Sequence, residues 1–326
     1  MILPGLEETE SAAAIVHGII PPTPLIRWPL LCERTGADVW IKHENHTPVG
    51  AFKLRGGLVY MERLCRVAPG VRGVIAATRG NHGQSVAFAA AKHGLRAVIV
   101  VPRGNSREKN AAMQALRAEL IECGHDFQDA YEHAVRIAAA ESLHMVPSFD
   151  ATLVSGVATY GLELFRGGPE FDAVYVPIGL GSGICGVIAV RNALGLKTQV
   201  IGVCAAGAPA YARSFAAGRP IATETAETIA DGLACRTPLV DAVSIINQNA
   251  ARVVTVDDGD IRFAMQAFFS DTHNAAEGAG AAALAALLRE RNDMRGRRVA
   301  LILTGGNVDR DVFAQVLAGG TPAGSE

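Results

Sequence analysis

The chain has 326 residues, of which 49% are hydrophobic and 19% charged, a composition typical of a folded protein with one large or two medium domains. Its 30 Lys and Arg residues against 32 Asp and Glu residues give a net charge of -2, which argues against nucleic acid or an anionic membrane as a partner. The mean hydropathy of +0.22 comes from Ala and Gly, and no uninterrupted apolar stretch reaches the ~18 residues of a membrane-spanning helix.

Short runs rich in Val and Ile alternate with Ala-rich segments of helical period. Strands of a parallel sheet are buried on both faces, so they have continuous apolar sequences, with helices as the crossovers between them. The pattern predicts strands at Val39–Lys42, Gly73–Ala76, Ala97–Val101, Ala173–Ile178, Val200–Cys204 and Val299–Leu303. It predicts helices at Ser85–His93, Lys109–Glu122, Asp129–Leu143, Val157–Phe165, Ile184–Leu194, Ile261–Asp271 and Ala279–Arg291.

These elements form two βαβ series, which predicts an α/β protein of two doubly wound lobes. The first series runs over residues 52–148, and the second follows residue 149 and has its own Gly-rich turn at Gly179. We therefore expect a large lobe of residues 1–51 and 149–326 and a small lobe of residues 52–148. Ligands of such folds bind in a cleft at the carboxyl ends of the strands.

Two turns of the first half carry candidate functional groups. Lys53 lies between Phe52 and Leu54 at the start of an apparent helix, where it is either a surface residue or an amine that apolar neighbours desolvate. Desolvation lowers the pKa of a lysine toward neutrality and permits Schiff-base chemistry. The second turn, residues 77–85, follows a strand, and its helix N-terminus suits an anion such as a carboxylate. Asn81 and His82 there are either cap and turn residues or ligands of that anion.

Residues 177–186 have the sequence PIGLGSGICG, which fits the dinucleotide-binding pattern G-x-G-x-x-G after a strand. A nicotinamide dinucleotide site also needs an acid at the end of the next strand, and residues 204–207 there read CAAG. A narrower hypothesis remains. This loop and the helix N-terminus after it bind a phosphate group, and the site does not recognise an adenosine ribose. A fourth turn, Thr304-Gly305-Gly306-Asn307, offers a hydroxyl to a flat ring or is a simple strand-end turn.

Together, these motifs resemble the fold-type II pyridoxal-phosphate enzymes, and most closely their serine/threonine dehydratase (ammonia-lyase) branch. The resemblance extends from Thr23-Pro24-Leu25 to the turn at Thr304 and includes SFD at 148–150, GVAT at 156–159 and ETIADG at 227–232. It implies two lobes of the tryptophan-synthase-β-like fold with pyridoxal 5'-phosphate in the cleft between them. A homodimer is also implied by the resemblance.

The resemblance implies a role for each matching residue. Lys53 would hold the cofactor covalently, with Phe52 against its ring, Asn81 on the ring hydroxyl, Thr304 facing the ring nitrogen and Glu277 nearby. The phosphate would be bound by the backbone N–H groups of Gly179, Leu180, Gly181, Ser182 and Gly183. The carboxylate of the substrate would be held by the loop residues Thr78, Arg79, Gly80, Asn81 and His82.

The activity implied is β-elimination from a β-hydroxy amino acid such as L-threonine or L-serine, giving a 2-oxo acid and ammonia, with Lys53 as the general base. A β-replacement or threonine-synthase-like enzyme is a second hypothesis, distinguished by its need for a second substrate. A non-catalytic binding protein of the same fold is a third, and the intact Lys53 and glycine loop argue against it.

Three departures from the family pattern limit this analogy. Arg79 stands where racemases of the family have a proton-shuttling serine, and a guanidinium is a poor proton shuttle, so racemisation is disfavoured. Arg79 either binds a second carboxylate, as in 3-hydroxyaspartate or another bulky 3-hydroxy amino acid, or pairs with a surface acid.

Cys204 and residues 208–210 provide no hard oxygen side chain where some relatives bind Mg²⁺ or Ca²⁺, so we expect no metal. The chain stops soon after Asn307, so no regulatory domain is expected. The N-terminus MILPGLEETE is acidic where a signal peptide is basic, and the six cysteines form no C-x-x-C pair. We therefore expect a cytoplasmic protein.

Overall fold

The structure is a computed structural model and describes residues 1–319. Its strands are β1 Leu25–Arg27, β2 Asp38–His43, β3 Gly73–Ala77, β4 Arg96–Val101, β5 Glu119–Glu122, β6 His144–Met145, β7 Ala173–Pro177, β8 Gln199–Ala205, β9 Arg252–Val256 and β10 Arg298–Leu303. Its helices are α1 Leu6–His17, α2 Pro29–Thr35, α3 Lys53–Val67, α4 Asn81–Lys92, α5 Arg107–Ala115, α6 Phe127–Glu141, α7 Ala151–Gly167, α8 Ser182–Ala193, α9 Ala210–Ala217, α10 Val240–Asn249, α11 Asp258–Thr272, α12 Gly278–Arg289 and α13 Arg310–Leu317. The alternation of strands and helices confirms the α/β class.

The strands form two separate sheets. The larger has the order β1-β2-β10-β7-β8-β9, and the smaller has the order β5-β4-β3-β6. All ladders are parallel except that of β1 with β2, so the larger sheet is mixed at one edge. The smaller sheet takes all its strands from residues 73–145, which supports the predicted lobes of residues 52–148 and of 1–51 with 149–326. Those boundaries stay a prediction, and residues 320–326 lie outside the described part.

The six strands predicted from continuous apolar runs are all present. The four strands at the edges of the sheets, β1, β5, β6 and β9, are not predicted. The helix predicted at Lys109–Glu122 is wrong, because α5 ends at Ala115 and Arg117 adopts a left-handed φ of 66°. The residues after it form β5, which pairs with β4. Edge strands such as β5 and β9 are only partly buried, so they lack the apolar run that marks a central strand.

Close helix packing places α3 against its neighbours. A Cβ on Gly156 of α7 would lie 2.4 Å from the carbonyl oxygen of Arg55, and a Cβ on Gly57 would lie 2.2 Å from the Ser85 hydroxyl of α4. Glycine at both positions therefore lets the three helices approach. Ser85 donates a hydrogen bond to the Lys53 carbonyl at 2.7 Å, which ties the first turn of α3 to α4.

A buried charge network fixes α3 from the side opposite the cleft. Arg55 is fully buried and donates to Glu44 Oε2 at 2.7 Å and Oε1 at 2.9 Å, and to Glu163 Oε1 at 2.6 Å and Oε2 at 2.9 Å. Lys42 is also buried and contacts Glu163. Burial would raise the pKa of Glu163, but Arg55 and Lys42 lower it to about 2. Each of these buried charges thus has an opposite charge as partner.

Within residues 1–319, no helix combines the length and the apolar character that crossing a bilayer requires.

Candidate active site

A cleft of about 530 Å³ is lined by residues that follow β3, β7 and β10, at the carboxyl ends of the strands of both sheets. This is the position at which α/β folds bind their ligands. The structure brings all the predicted site residues together around it: Phe52, Lys53, Thr78, Arg79, Gly80, Asn81, His82, Gly179, Leu180, Gly181, Ser182, Gly183, Glu277 and Thr304. Their individual roles stay predictions.

Lys53 is held at the cleft by the chain around it. The N–H of Phe52 donates to the Thr304 carbonyl at 3.0 Å, and Ala51 forms a bridge with Gly305, so the start of α3 is fixed to the end of β10. The Nζ atom of Lys53 has one hydrogen bond among residues 1–319, to Ser182 Oγ at a long 3.3 Å. Burial lowers the pKa of Lys53 to about 8, as the desolvation hypothesis predicts. The amine is therefore largely unpaired and partly neutral near physiological pH.

The glycine loop after β7 presents backbone N–H groups to the cleft. The N–H groups of residues 179–183 donate to no other group in residues 1–319, and the positive end of the α8 dipole lies at the same place. Gly181 has a φ of 101°, and a Cβ on Gly179 would lie 2.1 Å from the Gly232 carbonyl oxygen. A side chain at either position would distort the loop, whose free N–H groups suit a phosphate.

Two buried tyrosines support this loop from behind. Tyr160 donates to the Gly183 carbonyl at 2.8 Å, and Tyr211 donates to the Leu180 carbonyl at 2.8 Å. Tyr160 also packs edge-on against Phe52, with ring centroids 6.1 Å apart. The carbonyl groups of Leu180 and Gly183 are thus satisfied within the protein, and the two hydroxyl groups brace the loop.

The loop after β3 forms a second group of donors. Thr78 Oγ1 accepts from the N–H groups of Gly80 at 2.9 Å and Gly83 at 3.3 Å, which orders the turn. The N–H groups of Asn81 and His82, at the start of α4, have no acceptor in residues 1–319. Two free N–H groups at a helix N-terminus suit a carboxylate.

His82 is buried beside Lys53, and its Nε2 atom has no hydrogen-bond partner in the described part of the chain. Burial and the charge of Lys53 lower the pKa of His82 to about 3, so its imidazole is neutral near physiological pH. A neutral His82 adds no positive charge beside Lys53.

Asn81, Glu277 and Lys109 form a chain across the cleft. Asn81 Nδ2 donates to Glu277 Oε1 at 2.6 Å, and Asn81 Oδ1 accepts from Asn307 Nδ2 at 2.8 Å. The Nζ atom of Lys109 lies 3.4 Å from Glu277 Oε2 and 3.4 Å from Asp231 Oδ2. The sequence analysis assigned no role to Lys109, Asp231 or Asn307. They lie far apart in sequence, and no local motif marks Lys109.

Thr304 and Arg79 complete the cleft. Thr304 is buried, and its hydroxyl makes no hydrogen bond with another described residue, which leaves it available to a ligand. Arg79 is exposed at the mouth and forms no ion pair within 4.0 Å in residues 1–319. The pKa of Asp126 is lowered chiefly by a hydrogen bond from the backbone N–H of Asp129, and the charges of Arg236 and Arg79 add to this effect.

No group of three or more His, Cys, Asp or Glu side chains in residues 1–319 is arranged to hold a metal ion.

This set of residues fits pyridoxal phosphate, which needs an amine for its aldehyde, an anion site for its phosphate and polar partners for its ring. Lys53 is an under-partnered amine, the loop of residues 179–183 is a cradle that a Cβ would fill, and Asn81 and Thr304 are neutral polar groups. Comparison with known proteins agrees, because residues 16–305 match the family described as "Pyridoxal-phosphate dependent enzyme". The chain belongs to this family of pyridoxal-phosphate dependent enzymes.

Named members of the family match nearly the whole chain. An L-threonine ammonia-lyase from Thermotoga maritima is 33% identical over 313 residues, which cover 96% of this chain and 78% of the relative. A processed threonine deaminase from Solanum lycopersicum has a TM-score of 0.88 at 28% identity, covering 97% of this chain and 94% of the other. A pyridoxal 5'-phosphate-dependent aspartate racemase has a TM-score of 0.89 at 26% identity, covering 95% and 97%. The enzyme thus has the expected fold type II.

Proposed function

We propose that this enzyme is an ammonia-lyase that converts a β-hydroxy amino acid, such as L-threonine or L-serine, into a 2-oxo acid and ammonia. One observation carries the proposal: the under-partnered amine of Lys53 lies in one cleft with two separate sets of free backbone N–H groups, at residues 179–183 and at the start of α4. One set suits a phosphate and the other a carboxylate. Relatives named L-threonine ammonia-lyase support the choice of reaction.

When bound, pyridoxal phosphate supplies an electron sink that makes the α-proton of an amino acid acidic. Residues 179–183 would hold its phosphate, Asn81 and Thr304 its ring oxygen and ring nitrogen, and Lys53 its aldehyde carbon. The N–H groups of Asn81 and His82 would bind the substrate carboxylate. The substrate amine would replace Nζ on the aldehyde carbon, and the amine of Lys53 released in this exchange would take the α-proton. A pKa of about 8 suits that role, because a base works best when its pKa lies near the working pH.

Arg79 and Thr304 are the reasons to propose elimination rather than racemisation. A racemase needs a second group that returns a proton on the opposite face of the substrate. Arg79 lines the cleft and, by the resemblance, occupies the sequence position of such a group, and a guanidinium does not release a proton near neutral pH. Thr304 is a neutral partner for the ring nitrogen, which limits the electron sink and favours prompt loss of the β-hydroxyl.

A second candidate substrate is 3-hydroxyaspartate or another 3-hydroxy amino acid with a second carboxylate. The observation that favours it is that Arg79 and Arg236 both line the cleft, near enough to Asp126 for their charges to contribute to lowering its pKa. Arginine binds a carboxylate with two parallel hydrogen bonds. A β-replacement enzyme of the same family is distinguished by its product, because it requires a second substrate.

The test is a panel of L- and D-β-hydroxy amino acids, assayed with the purified holoenzyme for ammonia and for 2-oxo acid, and repeated with Arg79→Ala. We expect both products in equal amounts without a second substrate. If 3-hydroxyaspartate is preferred, Arg79→Ala should lower its kcat/KM by at least about tenfold and spare L-threonine. The absence of ammonia release from every member of the panel would contradict the lyase.

We also propose a cytoplasmic homodimer, which the resemblance implies. Large apolar side chains are exposed on the neighbouring helices α2, α11 and α13, at Leu30, Phe263, Phe269 and Leu317, and such a surface supports self-association. Light scattering on the purified protein tests the dimer, and a monomer at micromolar concentration would exclude it.

A further inference from the structure

Lys109 extends from α5, beside the smaller sheet, into the cleft. It is buried, and its path runs over Gly80, where a Cβ would lie 2.4 Å from Lys109 Cδ. Its Nζ atom ends between two carboxylates of the other half of the chain, 3.4 Å from Glu277 Oε2 and 3.4 Å from Asp231 Oδ2. Lys109 is therefore a second cleft lysine, and unlike Lys53 it has ionic partners.

Glu277 has this amine as its cationic partner. It is buried at the N-terminus of α12, and its backbone N–H donates to the Gly305 carbonyl at 3.1 Å. The pKa of Glu277 lies above its ordinary value, because burial, with a smaller contribution from the charge of Asp231, raises it more than Lys109 and Asn81 lower it. Burial would also lower the pKa of Lys109, but Glu277 and Asp231 raise it above its ordinary value. The charged groups that face Glu277 are thus Lys109 from α5 and Asp231 from the turn at 231–233.

Glu277 and Asn307 together fix which way the Asn81 amide points. An ionised carboxylate can only accept hydrogen bonds, so it requires the Nδ2 side of Asn81, at 2.6 Å. The Oδ1 side then accepts from Asn307 at 2.8 Å, and Asn307 is itself fixed by a bond from its Nδ2 to the Val49 carbonyl at 2.8 Å. A protonated Glu277 is uncharged and has less acceptor capacity, so it would hold Nδ2 of Asn81 less strongly. The contact with Asn307 alone would then fix the amide.

We propose that Lys109 is a positioning residue that keeps Glu277 ionised and thereby holds the Asn81 amide with its N–H toward the ring oxygen of the cofactor. This inference rests on the proposed function for the role of Asn81. Lys109 touches neither substrate nor cofactor in this account and acts through Glu277. A purely structural role, linking the two halves of the chain, would not depend on the protonation of Glu277.

The first test measures that protonation without the cofactor. Infrared spectra of the apoenzyme at pH 7 should show the band of a buried protonated carboxyl group in Lys109→Met, and it should be absent from the wild type and from Lys109→Arg. The band should disappear again in Lys109→Met combined with Glu277→Gln. Identical carboxyl spectra for Lys109→Met and the wild type would overturn the inference. Because no cofactor or substrate is present, this result does not depend on whether the proposed reaction is correct.

The second test uses the holoenzyme and two variants with opposite expected effects. The acidic limb of the pH profile of kcat/KM should move upward by at least about one pH unit in Lys109→Met, and it should stay in place in Lys109→Arg. Asp231→Asn should move the acidic limb to lower pH, because Glu277 is then the one remaining carboxylate partner of Lys109 in residues 1–319. Asp231 is exposed, so its replacement is expected to fold. Shifts in the same direction for Lys109→Met and Asp231→Asn would contradict the inference, as would no shift in either. If the enzyme shows no lyase activity, the same variants can be compared by the pH at which the visible absorbance of the bound cofactor changes.

Discussion

Two cations of α3, Arg55 and Lys53, stand two residues apart and have opposite surroundings. Arg55 is fully buried and pairs with Glu44 and Glu163, each through two hydrogen bonds, and with the hydroxyl groups of Thr23 and Thr159. Lys53 faces the cleft and has one long hydrogen bond to Ser182 and no carboxylate partner within 4.0 Å in residues 1–319. The first cation is fully paired, and the second is not.

The contrast separates residues that stabilise the fold from residues that are available to bind a ligand. A buried charge with complete pairing is costly to disturb and fixes one geometry, here the position of α3. A buried amine without an acid partner is destabilising in itself and is found where chemistry requires a neutral amine. Substitutions at the two sites should therefore affect different quantities.

The largest expected effect is on activity in Lys53→Ala. We expect kcat to fall by a factor on the order of 10³ or more, together with the visible absorbance of the bound cofactor, because both depend on the amine. The free energy of unfolding of the apoenzyme should change by less than about 1 kcal/mol, since the amine has only one weak partner. A large loss of stability would mean that Lys53 is part of the structural network.

Arg55→Met should have the reverse effect. Removing the cation leaves Glu44 and Glu163 buried without their main partner, so the free energy of unfolding in urea should fall by about 3–5 kcal/mol. Arg63→Met on the same helix is the control. Its pair with Glu8, at 3.0 Å, is exposed, and the expected loss is below about 1 kcal/mol. Equal losses in the two variants would show that the buried network contributes nothing beyond a surface pair.

Acid should destabilise the protein through His43, which lies at the end of β2. Its Nε2 accepts from Trp28 Nε1 at 3.0 Å, and burial lowers its pKa from 6.5 to about 4. The unfolded chain therefore binds a proton that the folded chain does not, and stability is lost as the pH falls from 6.5 toward 4. This contributes about 2 kcal/mol between pH 7 and about pH 5, measured by urea unfolding. His43→Gln should flatten that pH dependence, and an unchanged slope would exclude His43 as its source.

The smallest effect we predict is on cofactor affinity in Gly179→Ala. The new Cβ would lie 2.1 Å from the Gly232 carbonyl oxygen, so the loop must shift, and the Kd for pyridoxal phosphate should rise by about tenfold or more. Gly161→Ala is the matched control, because a Cβ there would have its nearest neighbours at an ordinary 3.5 Å. Similar affinities for the two variants would contradict the phosphate role of the loop.

The parts of the fold and site that can be predicted from the sequence are those whose residues are contiguous in the chain. The strand, turn and helix around Gly179 are contiguous, and so are those around Asn81, which is why both loops were predicted. Lys53 was ambiguous in isolation and became significant beside the other motifs. Lys109 and Asp231 reach the cleft from separate elements, and Asn307 contacts Asn81 from a third, so only the folded chain shows that they meet. The same reason explains the missed edge strands, whose partners rather than their own sequences define them.

The most direct test of the account is to find which lysine carries the cofactor. The holoenzyme would be reduced with borohydride, which fixes a bound aldehyde to its amine, then digested and analysed by mass spectrometry. The account predicts the cofactor mass on Lys53 alone, because the amines of Lys109 and Lys42 are paired with carboxylates. Attachment to Lys109 or Lys42, or no attachment at all, would contradict it.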